Sequence, residues 1–227
     1  MRKNYYNALY ALLTFGLGFL VSSVQAQQKE VQEWSNGQVI LASGDTLYGS
    51  VVYHSNEEII RVILLDGTNQ AFTPVGVRSF AVTDDRGQYH KVFKSYYWNR
   101  GNDYSDYLVP AFFEMLLEGP YTLVKREVVS LRNQNMSPMY AGYSRYGDPY
   151  GSGNYPGYRP QMVIMDMLYL YSPQQKIIAL RNPKRDLEDL FGQRSGEMKK
   201  FIKSQNLSYG LTRDVVKMIR YFNSLPQ

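Results

Sequence analysis

Apolar and polar positions alternate with a period of two over much of the chain between residues 37 and 181, which predicts β-strands with one covered face. Val39-Ile40-Leu41 runs through Ser43-Gly44-Asp45 into the β-prone segment Thr46 to Tyr53. Ile59 to Leu65 is followed by Asp66-Gly67, read as a two-residue hairpin turn, with Gln70 to Thr73 as the return strand. Val75 to Thr83 alternates, turns at Asp84-Asp85-Arg86-Gly87 and continues as Gln88 to Tyr97. Leu108 to Glu118 and Tyr121 to Leu131 flank Gly119-Pro120. Met162 to Tyr171 and Lys176 to Arg181 flank Ser172-Pro173-Gln174-Gln175. About ten strands with short links predict an antiparallel sheet in an α+β fold, curled as a roll or barrel-like layer, with no βαβ units.

After residue 181 the period changes. Asn182-Pro183 predicts a helix start and Gly192 its end. Ser195 is expected to cap a second helix with Met198, Phe201 and Ile202 on its apolar face. Thr212 is expected to cap a third, with Val215, Met218, Ile219 and Phe222 at helical spacing. These three short helices are expected to pack on the sheet.

Two segments have other patterns. Residues 1–26 read as a secretory signal peptide: Arg2 and Lys3, an uncharged stretch from Ala8 to Val21, and a small-residue cleavage site at Val24-Gln25-Ala26. An uncleaved anchor is the competing reading, weakened by Tyr10, Thr14, Gly16 and Gly18, because a span needs about 20 apolar residues. Residues 133–161 are rich in Tyr, Gly, Pro and Ser, and read as a long loop inserted between two strands, either a recognition loop or a disordered excursion. The expected organisation is therefore a signal peptide at 1–26, a β domain at 27–181 interrupted by this loop, and helices at 182–227.

Composition narrows the chemistry. The 227 residues include no Cys, which excludes disulfides, zinc–thiolate and iron–sulfur sites, thiol nucleophiles and an N-terminal lipidated cysteine. Cleavage after residue 26 leaves 23 basic and 20 acidic side chains, net +3. That weak charge, together with export, argues against nucleic acid as a partner. The only histidines, His54 and His90, lie in no nucleophile motif. Asn99, Asn102, Asp103 and Asp106 carry oxygen ligands, yet their spacing is not that of an EF-hand loop. The glycines between Gly142 and Gly157 lack the strand-then-helix context of a phosphate loop. No metal or cofactor is expected.

Glu114 lies among Phe112, Phe113, Met115 and Leu116. It reads either as a half-buried general acid or as the cross-strand ion-pair partner of Lys125, and the register set by Gly119-Pro120 favours the pair. Asp166 has no nominated partner. Tyr143, Arg145, Tyr146, Tyr155, Tyr158 and Arg159 form a candidate recognition surface for protein or glycan, because tyrosine supplies large amphipathic contact area at low entropic cost. Lys199 and Lys203, with Arg213, Lys217 and Arg220, form basic helix faces. They are either solvated or able to rest on anionic lipid.

The order of several short motifs resembles a family of uncharacterised exported proteins of Bacteroidota. They are Gly37-x-Val39-Ile40-Leu41 with Gly44-Asp45-Thr46-Leu47-x-Gly49, Phe72-Thr73-Pro74-x-x-Val77-x-x-Phe80, Phe113-Glu114-x-Leu116-x-Glu118-Gly119, and Asp214-Val215-Val216 to Tyr221-Phe222-Asn223. The resemblance implies export and carries no activity. The expected function is an exported, non-enzymatic envelope or binding module, periplasmic, outer-membrane-associated or secreted. The alternatives are an accessory subunit of an outer-membrane assembly and a periplasmic carboxylate-dependent hydrolase.

Overall fold

The computed structural model describes residues 31–83, 90–102, 104–133 and 160–226. Residues 1–26, which the sequence reads as a signal peptide, and residues 134–159, with Tyr143, Arg145, Tyr146, Tyr155, Tyr158 and Arg159, lie outside the described residues.

Ten antiparallel strands form one open sheet: β1 (Val31–Leu41), β2 (Thr46–His54), β3 (Ile59–Leu64), β4 (Asn69–Phe72), β5 (Val77–Thr83), β6 (His90–Trp98), β7 (Val109–Leu117), β8 (Thr122–Asn133), β9 (Pro160–Tyr171) and β10 (Ile177–Ala179). Their spatial order is β10-β9-β8-β7-β6-β5-β1-β2-β3-β4. The sheet is not closed. Every neighbour is sequential except at β1, which pairs with β2 on one side and β5 on the other. Three helices follow: α1 (Pro183–Phe191), α2 (Ser195–Ser204) and α3 (Thr212–Ser224).

One face of the sheet carries two separate cores. Val39, Val51, Tyr53, Ile60, Val62, Phe80, Phe93 and Phe112 fill the curled β1–β7 portion, where Phe80 stacks on Phe93 at 4.5 Å and meets Phe112 edge-on at 5.2 Å. Leu123, Leu168 and Leu170 of β8 and β9 pack against Leu187, Met198, Val215, Met218, Ile219 and Phe222 of the helices. The helices thus bury most of their predicted apolar positions on the sheet; Ile202 is only partly buried there, and Phe201 instead stacks on Tyr221 of α3 at 3.9 Å. On the opposite face Phe113, Val124, Met167 and Tyr169 form a third cluster bordered by Tyr96 and Trp98.

The turns depart from the sequence reading in instructive ways. Asp66-Gly67 is not a two-residue turn. Ile63 pairs with Asn69 and the Leu64 amide donates to Thr68 O, so three residues form the loop. Gly67 takes the left-handed position at φ +84° and the Asp66 carboxylate accepts the Thr68 amide at 2.8 Å, the chemistry of a three-residue hairpin. At Gly119-Pro120 the tip is also longer: Leu117 faces Leu123, and a bulge between Met115 and Leu117 absorbs the extra residue. The helix caps differ too. Asn182 caps α1 as expected, accepting the Arg185 amide at 3.3 Å, while Asp186 accepts the Asn182 amide at 2.7 Å. Ser195 and Thr212 are not caps but first helical residues, after Arg194 and Leu211. The buried Asp214 side chain instead accepts the Ser208 amide at 3.1 Å and fastens the loop before α3.

Two glycines are demanded by close approach. A Cβ on Gly49 would overlap the Ile63 carbonyl oxygen of the neighbouring strand. A Cβ on Gly119 would stand 2.5 Å from Asn223 Nδ2. The Asn223 amide donates to Tyr121 O at 2.8 Å and accepts the Tyr121 amide at 3.0 Å. It acts as a one-residue strand, clamping α3 to the β7–β8 turn.

Candidate functional site

Alternation places Glu114, Lys125 and Asp166 on the same sheet face as the two cores, and they form a charged belt between them. Glu114 stands opposite Lys125, with 3.2 Å between carboxylate and ammonium. Lys91 approaches Glu114 at 3.7 Å and Asp166 approaches Lys125 at 3.3 Å. Burial alone would lower the Lys125 pKa; the carboxylates of Glu114 and Asp166 outweigh it, and the net shift is upward. Glu114 is thus held between two ammonium groups.

Beside this belt β7 and β8 part. Their ladder consists of Glu114–Lys125, Met115–Val124 and Leu117–Leu123 only. Earlier in β7, Phe112 turns its backbone groups into a gap, and the β2–β3 turn fills it, although β3 lies five places from β7 in the sheet. Glu58, in that turn, accepts the Phe112 amide at 2.9 Å, and its other oxygen accepts from Arg126 Nη2. Arg126 Nη1 donates to Phe112 O at 2.7 Å. Two side chains therefore satisfy a backbone N–H and C=O that a strand would otherwise take. Glu58 holds a left-handed backbone, φ +54°, which a non-glycine residue tolerates only where its surroundings fix it. Pro110, two residues before Phe112 and in the same phase, has no N–H to leave unpaired there.

Both members of this pair are nearly buried, each side chain being 13% exposed. Burial opposes the arginine's charge, and the Glu58 carboxylate overcomes it, so the Arg126 pKa rises. The guanidinium also lies 5.1 Å from the Trp98 ring centre and 5.0 Å from that of Phe113, within cation–π range. Arg126 Nε is buried without a hydrogen-bond partner. Burial first and Glu58 second push the Tyr53 hydroxyl pKa strongly upward. Gln32 donates to Glu127 at 3.0 Å, tying the start of β1 to β8.

Tyr53, Phe112, Glu114, Lys125, Arg126 and Glu127 line a cavity of about 20 Å³, room for about one water molecule. A pocket for an organic ligand is typically roughly 300–1,000 Å³. The charges that the fold gathers thus face one another across a space of solvent size.

The other candidates are dispersed. Lys199, Lys203, Arg213, Lys217 and Arg220 are all exposed on α2 and α3. Lys217 and Arg213 stand 3.9 and 3.7 Å from Asp214. His54 contacts Arg61 at 3.1 Å and His90 is exposed, far apart in sheet position. The side-chain oxygens of Asn99 and Asn102 accept the amides of Gly101 and Tyr104 within their own loop; Asp103 lies outside the described residues. Among the described residues no group of three or more His, Asp or Glu could hold a metal ion, and no helix is long and apolar enough to cross a membrane.

Sequence reasoning missed Glu58, Arg126, Tyr53 and Gln32. One signal was present. In Leu123 to Val128, Arg126 shares its phase with Val124 and Val128, and a cation in the apolar phase of a strand requires a partner.

One further element stands out. β8 and β9 pair with each other beyond their other ladders: from Arg126–Met167 to Asn133–Pro160 they form eight consecutive pairs. β7 leaves β8 at Lys125, and β10 pairs with β9 only at Tyr169 to Tyr171. The result is a two-stranded ribbon roughly 23 Å long, from whose end residues 134–159 depart and return. Searches against protein-family models, curated proteins and solved structures return no match for this chain.

Proposed function

We propose that this protein is an exported, non-enzymatic binding module of the cell envelope. It presents the tyrosine-rich segment 134–159 on the β8–β9 ribbon to a protein or glycan partner. The ribbon is the observation that carries this reading. Two strands continue past their ladders to β7 and β10 with backbone partners only in each other among the described residues, and the sequence between them is the tract with Tyr143, Arg145, Tyr146, Tyr155, Tyr158 and Arg159. A connection of that length between paired strands is uncommon, and recognition is one of the uses that such loops serve. The closed charge network supports the non-enzymatic half of the reading. Glu114, the best acid in the sequence, is neutralised by Lys125 and Lys91 and faces a space for about one water. The signal-like residues 1–26 and the resemblance to exported Bacteroidota proteins support the location.

The test replaces residues 136–159 by a short Gly-Ser linker. Thermal unfolding should remain cooperative, because the linker leaves the sheet and helices intact, while capture of envelope proteins or glycans by the tagged chain is lost. Capture that survives the replacement, or recovery of the native protein from the cytoplasmic fraction, would refute the proposal.

A further inference from the structure

The outer edge of β9 has a definite chemistry. Leu168 O accepts the Leu180 amide at 2.9 Å on the side away from β8. The β8–β9 register runs without a shift from Thr122–Tyr171 to Asn133–Pro160. The even-numbered residues of β9 therefore all turn their backbone groups outward. Met162, Ile164 and Asp166 present N–H and C=O groups there that pair with no strand among the described residues. Pro160 falls in the same phase and has no N–H to offer. Exposed edges are ordinarily blunted by lysine, proline or a bulge. Between Pro160 and the start of β10 pairing this one has a single charged residue, Asp166, already within 3.3 Å of the Lys125 ammonium.

We propose that this edge pairs with the same edge of a second copy, antiparallel, with the two-fold axis at Ile164. Ile164 then faces its own counterpart, Met162 faces Asp166 and Val163 faces Met165 across the junction. The registers centred one residue away are shorter: an axis at Val163 brings Pro160 opposite Asp166, and one at Met165 brings Met162 opposite Leu168, whose carbonyl Leu180 already holds. Those centred two residues away are worse as well. Centring the axis on Asp166 sets two carboxylates directly opposite each other, which is destabilising. Centring it on Met162 brings Pro160 opposite Ile164, and a donor is missing from each end. The favoured register occupies Met162 to Asp166, which fits between Pro160 and the Leu168 carbonyl already taken by Leu180. Met165, 39% exposed in the single chain, gains an apolar neighbour. The interface is isologous, so it closes at two copies. It joins two sheets into one and sets two ribbons side by side in opposite directions. It does not depend on what residues 134–159 bind.

The chain's lack of cysteine makes the test direct. Hydrogen-bonded antiparallel partners stand about 5.5 Å apart at Cα, within disulfide range. Ile164→Cys should therefore give a covalent dimer under mild oxidation, whereas Tyr48→Cys, at an exposed site on β2, should stay monomeric. Light scattering on the purified wild-type protein should show a concentration-dependent dimer, which Ile164→Lys weakens by about tenfold or more with its far-UV circular dichroism unchanged. If Ile164→Lys fails to fold, the cysteine variant decides. A wild-type protein that is monomeric at every concentration would overturn the proposal. So would a dimer untouched by Ile164→Lys, or an Ile164→Cys chain that does not cross-link, including one that instead takes an unrelated extended peptide along this edge.

Discussion

Glu58→Ala should be among the most damaging substitutions in the sheet, although Glu58 lies in a turn. The change removes the carboxylate that compensates Arg126, and it removes the acceptor of the Phe112 amide. Breaking a buried ion pair by deleting one partner costs about 3–5 kcal/mol, and an unpaired buried amide about 1–3 kcal/mol. The two do not simply add. Both side chains keep 13% exposure, and the adjoining cavity has room for about one water molecule that could serve the orphaned groups. The expected loss is therefore near the lower end, about 3 kcal/mol. Relief of the left-handed backbone does not offset it, because alanine is no better there than glutamate. The partner change Arg126→Met should cost a similar amount. The double variant Glu58→Met/Arg126→Met leaves no uncompensated charge, only the two Phe112 backbone groups, so it should lie at about 1–3 kcal/mol. The singles and double then show a coupling of at least about 3 kcal/mol. Urea unfolding followed by the fluorescence of Trp34 and Trp98 measures all four corners, and Trp98 itself stacks near the guanidinium. Glu58→Ala within about 0.5 kcal/mol of wild type, or effects that add, would refute the idea that these side chains replace a missing strand.

Asn223→Ala should lower stability by about 1–3 kcal/mol, since it unpairs both backbone groups of Tyr121, and Asn223→Asp should recover only part because it keeps the acceptor and loses the donor; urea midpoints decide, and an alanine variant as stable as wild type would deny the clamp. Stability should fall as pH rises above the ordinary tyrosine range near 10. Burial, with Glu118 and Tyr171 adding, pushes Tyr96 up to about 12, and Tyr53, Tyr209 and Lys125 are also raised. Over that window the unfolded chain has released protons that the folded chain keeps, so proton linkage favours unfolding. Thermal midpoints across the alkaline range, with tyrosinate absorbance as a second readout, should fall together, and a flat profile would contradict the assignment.

The strands were legible because alternation and turn residues carry local information, and this fold is almost wholly sequential. The one non-sequential neighbour, β5 beside β1, was not legible. It depends on the sheet's curl, which no short window encodes. The start of β1 was invisible for a different reason. Gln32, Glu33, Ser35 and Asn36 break any apolar rhythm, and Gln32 earns its place by bonding Glu127 of a strand 95 residues away. The Glu114–Lys125 register was reached through two departures that cancel: the tip is one residue longer than expected, and the bulge before Leu117 takes that residue up. Glu58 was not legible because nothing near it in the sequence announces Arg126, 68 residues away. Gly49 sits in a β-prone segment, and only the pairing of β2 with β3 reveals the Ile63 carbonyl that leaves no room for a Cβ there.

The ribbon also has a mechanical meaning. A tug on its far end pulls β8 and β9 lengthwise, parallel to their neighbours. It slides them against β7 and β10 rather than peeling them away, so the bordering ladder bonds take up the force together. Each of those ladders is three pairs long. On β8 the load meets the Glu58 and Arg126 bridge before the β7 ladder, and that bridge crosses to the β2–β3 turn and passes strain into the curled half of the sheet. A turn acid and a strand arginine thus stand where the ribbon is anchored against traction.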